Sequence, residues 1–318
     1  MEENNMNQSP QTEKRPDNPN KSLTIKQSQL IFISVALIVP IANWLVFYLY
    51  THISSIFMAF QDMTGKWSMI NFETFYEDLI DPHSTILLSL KNTLKYFLHE
   101  RFILFPSGVI VCFFIYKKIA GYRFFRIVFY LPNIISSVVM IGVFKILIQE
   151  GQPIGMLVQA LGVEIPTQGF LGSSATATNT IIWYKTYVGL AGSFLIISGA
   201  MARIPVEVLE SARLDGVGPG RELVSMIIPL IWPTLSTLTI LACTGILGAS
   251  GPILLMTGGG YGTNTISFYM YQKVWNGGAQ TASNYNLVSA IGLCFTVVVV
   301  PFVYFIRWLA DKIPAVEY

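Results

Sequence analysis

The sequence predicts an all-α integral membrane protein with six transmembrane helices and a folded loop on the cytoplasmic face. Three observations lead there. The 318 residues are 53% hydrophobic and only 12% charged, about half the charged share of a soluble globular domain. Apolar stretches long enough for a hydrocarbon core of ~30 Å recur along the chain. Lys and Arg gather in alternate loops, the pattern that sets orientation in a bilayer. The composition excludes a water-soluble enzyme, and the apolar excess excludes a disordered or collagen-like chain. With Lys+Arg 20 against Asp+Glu 18, the net charge of +2 leaves no basic footprint for nucleic acid. Cys112, Cys243 and Cys294 lie far apart in apolar runs. They read as buried, inert thiols rather than ligands or disulfide partners.

Residues 1–27 are polar, with Asn, Gln, Pro and mixed charge, and read as a disordered cytoplasmic tail. The apolar segment behind them is too long for a signal-peptide core. Residues 28–84 hold the first span and an external loop. Ser28 to Gln61 contains no Asp, Glu, Lys or Arg, and Leu30–Leu49 supplies 20 apolar residues, about 30 Å of helix. Asp62, Glu73, Glu77, Asp78 and Asp81 then face Lys66 alone. Residues 85–318 hold the other five spans. Phe102–Tyr116 is too short to cross by itself, so the second span is expected to start near Ile86 and carry Lys91, Lys95, His99, Glu100 and Arg101. Charges within a span face a bundle interior or a water-filled cavity. The alternative is an external interfacial helix over 86–101 beside a short, tilted span.

The third span is expected over Ile127–Ile148, with Pro132, Asn133 and Lys145 inside. A Gly/Ser/Thr/Pro-rich loop covers 149–177. The fourth span, Thr180–Met201, has Lys185 near its start. The fifth runs from near Met226 to Met256, interrupted by Pro229, Pro233 and Pro252; a Gly-rich loop follows to Asn286, and the sixth is Leu287–Ile306. Lys117, Lys118, Arg123 and Arg126 lie between spans two and three, and Arg203, Arg213 and Arg221 between four and five. Both termini are therefore expected in the cytoplasm. No catalytic constellation or phosphate-binding loop is present, and His52, His83 and His99 are unclustered. No catalytic residue, metal site or bound cofactor is expected of this chain.

The cytoplasmic loop 203–222 is the informative segment. Pro205 suits the first turn of a helix. Val206, Leu209 and Arg213 recur at helical spacing, beside Glu207 and Glu210. Asp215-Gly216 ends the helix with a left-handed cap, and Pro219 opens a second helix leading into span five. Such an element is too small to bury its own apolar face, and docking against a partner's groove is the mode that fits.

Glu210-Ser211-Ala212, Gly216, Met226 and Ile228-Pro229 resemble the EAA motif of binding-protein-dependent ABC importer permeases. The spacing matches throughout, with Ser for Ala, Met for Ile and Ile for Leu. Asn92-Thr93-Leu94, Tyr130-Leu131-Pro132, Thr257-Gly258-Gly259-Gly260, Tyr269-Met270-Tyr271, Tyr285-Asn286 and Ser289-Ala290 are similar, in order, to stretches of the carbohydrate-uptake (maltose-type, type I) branch. Tyr261 stands where that branch has Pro. The resemblance covers roughly residues 86–310. It implies a transport subunit rather than an enzyme. Its partners would be a second permease (paralogue or self), two cytoplasmic ATPase subunits holding ATP and Mg, an external solute-binding protein, a saccharide and the lipid bilayer of a bacterial plasma membrane. The ATPase-coupling residues would be Glu207, Glu210, Ser211, Ala212, Asp215 and Gly216.

For the substrate pathway the candidates are Asn133, Trp183, Tyr187, Ser250, Gly251, Arg101 and Lys185. Pro252, Gly248, Ser250 and Gly251 break the end of span five, where exposed backbone can line a cavity. Trp183, Tyr184 and Tyr187 suit sugar stacking, or equally an interfacial aromatic belt. Gly189, Gly192 and Gly199 suit close helix packing. Lys91, Lys95, Arg101, Lys145, Lys185 and Lys273 all fall on the external side, against the positive-inside trend. They fit either attraction of an acidic oligosaccharide, or pairing with Glu100, Glu150 and the acidic 62–81 stretch, or docking of the binding protein. Permeases for amino acids, peptides or another small solute are the main alternative; an ion-coupled secondary transporter would need mid-membrane acids, of which only Glu100 qualifies.

Overall fold

A computed structural model describes residues 25–214, 216–248, 252–276 and 281–313; the rest of the polar tail at 1–27, Asp215, Ser250 and Gly251 lie outside the described residues. The chain divides into two compact units, Met1–Ser54 and Ser55–Tyr318. The described residues are helical apart from turns and one isolated bridge between Gln61 and Trp67.

Helix α1, Ser28–Ala59, is 32 residues long, well beyond the stretch expected from Leu30 to Leu49, because no charge interrupts it before Asp62. Within the first unit its apolar side chains are exposed all round, from Phe32 at 74% to Phe47 at 70%, the signature of a lipid-facing helix. In the second unit, Asp62 Oδ1 accepts from the Thr64 amide (2.7 Å), the Thr64 hydroxyl (2.7 Å) and the Lys66 amide (3.0 Å), a side-chain-stabilised turn. The Thr64 hydroxyl bond, first, and the Lys66 amide hold this carboxyl below its usual range. Helix α2, Ile70–Ile80, follows.

Helix α3 runs unbroken from Thr85 to Tyr116, so 86–101 is one helix with the apolar stretch behind it. Ser84 caps it, its hydroxyl accepting from the Leu87 amide at 3.1 Å, one of the amides a helix start leaves unpaired. Pro106 has no N–H for the Phe102 carbonyl, and the helix widens into a π-turn at Glu100–Leu104.

The third expected span bends. Helices α4, Tyr122–Ile134, and α5, Ser137–Leu147, meet at 114°, with Ile135 extended (φ −84°, ψ 139°). Pro132 leaves the Val128 carbonyl without its helical donor, and the Tyr187 hydroxyl donates to that carbonyl at 3.3 Å. The Asn133 amide donates to the Ala191 carbonyl at 2.8 Å. Both bonds tie the bend to α7. Within the expected loop 149–177, Pro153–Ala160 forms helix α6, opened by its proline. Helix α7 is Ala177–Met201, three residues longer at its start than expected.

Helix α8 spans Val206–Leu214. Helices α9, Pro219–Leu230, and α10, Trp232–Gly248, meet at 74°; the break at Ile231 (φ −95°, ψ 7°) lies between Pro229 and Pro233. The fifth expected span is helical up to Gly248 among the described residues, and Ile253–Met256 forms a further turn, α11. The Gly-rich loop contains α12, Ile266–Trp275, with Ile266, Phe268 and Tyr269 buried. Helix α13, Asn284–Asp311, completes the described chain. Helices α1, α3, α7 and α13 are long and apolar enough to cross a membrane, and the two bent pairs bring the number to six if each is one span.

Three cores hold the second unit. One joins Val109, Phe113, Phe194, Ile197, Leu209, Ile227 and Leu235. A second joins Tyr96, Ile141, Ile181, Tyr184, Ile253 and Phe268. The third joins Phe75, Ile86, Ile266, Tyr269 and Ile291. The glycines of α7 differ from one another. A Cβ at Gly189 would lie 2.5 Å from Leu104 of α3, so this glycine lets α7 approach α3 closely, whereas Gly192 and Gly199 have nothing within 4 Å among the described residues. Cys112 and Cys243 are buried and Cys294 is half-buried.

Candidate functional site

Two features of the second unit bear on function: a cavity between α3, α5 and α7, and the segment of α8 and α9. The cavity has a volume of about 530 Å³ and is lined by Glu100, Arg101, Ser137, Tyr184, Lys185, Val188, Gly189, Gly192, Ser193, Pro252 and Leu255, among others. Lys185, Val188, Gly189 and Gly192 stand at i, i+3, i+4 and i+7 of α7, one helical face. The bare backbone at Gly192 keeps that face open.

Charge sits within this apolar frame. Arg101, 12% exposed, has Nη2 at 3.6 Å from Glu100 Oε1. Lys185 Nζ is 3.9 Å from Glu100 Oε2. The guanidinium lies 4.9 Å over the Phe105 ring and the Lys185 ammonium 5.0 Å over the Tyr96 ring, a favourable use of each ring's negative face. Arg101 Nε and Nη1 are buried without a hydrogen-bond partner among the described residues.

Of the pathway candidates read from the sequence, Arg101 and Lys185 come together here. Trp183 is 74% exposed on the other side of α7, and the Tyr187 hydroxyl and the Asn133 amide nitrogen donate to backbone carbonyls that tie α4 to α7. None of those three lines the cavity. Ser250 and Gly251 lie outside the described residues, although their neighbour Pro252 is in the lining. Tyr184, one of the aromatics read as suited to sugar stacking, lines it, and so do Ser137 and Ser193, which the sequence had not singled out. The α7 members were within reach of helical spacing from Lys185; Ser137 was not, because it depends on the bend.

Helix α8 follows Ile204-Pro205 and ends before Gly216, whose φ of +70° is the left-handed geometry glycine adopts without strain. Glu207 and Glu210 are exposed, and Leu214 is 89% exposed. These three stand at i, i+3 and i+7, one outward face. Ser211 and Ala212 belong to α8 by backbone, and Asp215 lies outside the described residues. The expectation that the apolar face of this element needs a partner's groove is met at Leu209 by the chain's own core. Leu209 is 6% exposed and packs with Ile204, Met201 and Ile227 in the first core. Beyond the turn, Glu222 is 2% exposed, and both its carboxylate oxygens accept from Lys117 Nζ, at 2.9 and 2.6 Å. This pair, buried at its Glu222 end, joins the residue just after α3 to α9, a link between the basic turn and the start of α9 that no local pattern announced.

The profile of the family described as binding-protein-dependent transport system inner membrane component matches residues 105–314. The multiple sugar-binding transport system permease protein MsmF of Streptococcus mutans is 26% identical over 268 residues, which cover 83% of this chain and 89% of that protein. The arabinooligosaccharides transport system permease protein AraP of Bacillus subtilis is 24% identical, over 81% of this chain and 82% of that one. Among solved structures, a chain of a bacterial ABC transporter involved in import of the acidic polysaccharide alginate superposes with a TM-score of 0.75 at 21% identity, covering 91% of this chain and 98% of that chain. That likeness carries the fold. With a family match across 105–314, well over half of its length, and four to six candidate spans among its described helices, this protein is a multi-pass membrane protein and belongs to the inner-membrane components of binding-protein-dependent transport systems.

Proposed function

We propose that the chain is a permease subunit of an ATP-driven importer. It forms, with a second permease, the pathway for a sugar or oligosaccharide handed over by an external solute-binding protein. The observation that carries the reading is the α8–turn–α9 element. Its inner side chain Leu209 locks into the core of the spans, while Glu207, Glu210 and Leu214 stay outward as a ready docking face. A partner pressing on that face moves the spans through Leu209 and through the Lys117–Glu222 pair. In this reading ATP and Mg are held by two cytoplasmic ATPase subunits docked there, and Glu207, Glu210, Ser211, Ala212, Asp215 and Gly216 form the coupling surface. The permeases for sugars among the relatives, MsmF and AraP, support a saccharide as cargo. Uptake of radiolabelled oligosaccharides by cells with and without this subunit tests it. Loss of saccharide uptake in the deletion is expected; loss of amino-acid or peptide uptake alone would overturn the cargo.

The orientation follows from the Lys/Arg alternation, with both termini in the cytoplasm. With the native cysteines replaced, single cysteines at Ser9 and Asp311 are expected to resist a membrane-impermeant maleimide in intact cells, while one at Ser174 labels. Labelling at either terminus contradicts the orientation.

A further inference from the structure

Six basic residues stand on the side expected to be external, and the structure separates them. Lys95 Nζ donates to Asn179 Oδ1 at 2.6 Å, Lys145 to the Leu255 carbonyl at 3.3 Å, and Lys273 lies over the Tyr269 ring at 5.5 Å. Of the six, Arg101 and Lys185 share a cavity wall, and among the described residues Glu100 is the acid that faces them there. Two cations against one carboxylate leave the wall with an excess positive charge. The contacts to Glu100, 3.6 and 3.9 Å, are too long for charge-assisted hydrogen bonds, which close to about 2.7–2.9 Å. Arg101 keeps two buried N–H-bearing nitrogens without a partner, an arrangement that is unfavourable in a low-dielectric interior until an acceptor arrives. The volume of about 530 Å³ falls within the roughly 300–1,000 Å³ of small-molecule sites, and Tyr184, Ser137 and Ser193 offer a ring and hydroxyls beside the charges.

Resting on the import reading, we propose that this cavity is an anion subsite for the carboxylate of an acidic saccharide, with Glu100 as its resident competitor. The incoming carboxylate takes the guanidinium and ammonium of Arg101 and Lys185; Glu100, already loosely held, is displaced and keeps the empty site from holding its cargo too tightly. A pathway must release what it binds, and an internal competitor supplies that release. The remaining sugar hydroxyls are met by Ser137, Ser193 and Tyr184.

The test is uptake, by cells carrying the intact importer, of a uronate-containing oligosaccharide and of its methyl-ester counterpart, which has nearly the same size but no charge. Arg101→Gln and Lys185→Gln are expected to lower uronate uptake about tenfold or more, with at most a twofold change for the ester. Arg101→Lys, which keeps the charge, is expected to retain most uronate uptake and guards against misassembly of the glutamine variant. Glu100→Gln is expected to lower the half-saturating uronate concentration. Uronate uptake unchanged in both glutamine variants, equal losses for acid and ester, or a wild type that moves only neutral saccharides would each overturn the subsite while leaving the saccharide reading intact. Uptake of no saccharide at all would overturn both.

Discussion

Glu222→Lys is expected to abolish transport and lower the thermal midpoint of the detergent-solubilised protein by on the order of 10 °C. Glu222 is 2% exposed and accepts both its hydrogen bonds from Lys117. Reversal sets two buried ammonium groups against each other and strips Lys117 of its acceptor. Removing one partner of a buried pair costs about 3–5 kcal/mol, because the other charge stays buried and uncompensated. The double exchange, Lys117→Glu with Glu222→Lys, is expected to recover most of the midpoint, since the pair is remade with its ends swapped. Recovery is incomplete because the Lys117 ammonium also lies 5.9 Å over the Phe113 ring, and a carboxylate there loses that attraction. A midpoint in Glu222→Lys equal to the wild type, read by size-exclusion fluorescence after heating, would show that the pair holds nothing. Rescue of the midpoint without rescue of uptake would instead assign the original polarity a part in coupling.

The second large effect is expected at the α8 turn. Gly216→Val should leave insertion and expression normal and reduce uptake about tenfold. The φ of +70° is a region β-branched residues strongly avoid, with a strain of roughly 1–3 kcal/mol. A Cβ at this position meets nothing within 4 Å. The loss therefore reports the backbone of the turn, not a clash within the chain. Gly216→Asn, which tolerates left-handed geometry, is expected to retain most activity. Glu210→Arg reverses an exposed charge on the outward face and should leave the fold unchanged while uncoupling ATP hydrolysis from uptake. The checks are uptake per inserted permease and binding-protein-stimulated hydrolysis in proteoliposomes. Normal uptake in both Gly216→Val and Glu210→Arg at normal expression would remove the coupling role from this element.

What was legible in the sequence is what depends on local chemistry and on solvent. The absence of charge from Ser28 to Gln61 requires an apolar surrounding for a helix there, whatever the rest of the chain does. Pro205, Gly216 and Pro219 act within a few residues of themselves, so the helix of nine residues at Val206–Leu214 and its left-handed turn could be read without a partner. Charges at Glu100, Arg101 and Lys185 within or near spans pointed to an interior cavity, since lipid would not hold them. Other properties arise only from tertiary contact. Pro132 marks a weak point, but the 114° bend needs Tyr187 and Asn133 to take up freed polar groups across α4 and α7, so two residues that looked suited to a solute became backbone anchors. Leu209 is buried in a core that also takes in Met201 and Ile227, from flanking helices. Which of six basic residues share a wall depends on the approach of α3 to α7, set by Gly189 against Leu104. Lys117 and Glu222 lie 105 residues apart, and the tertiary fold, which gathers Phe113 and Ile227 beside them into one core, brings them together. Hydrophobicity and backbone preference act residue by residue and are written in sequence; pairing of buried polar groups is settled by which surfaces meet, and that is decided in three dimensions.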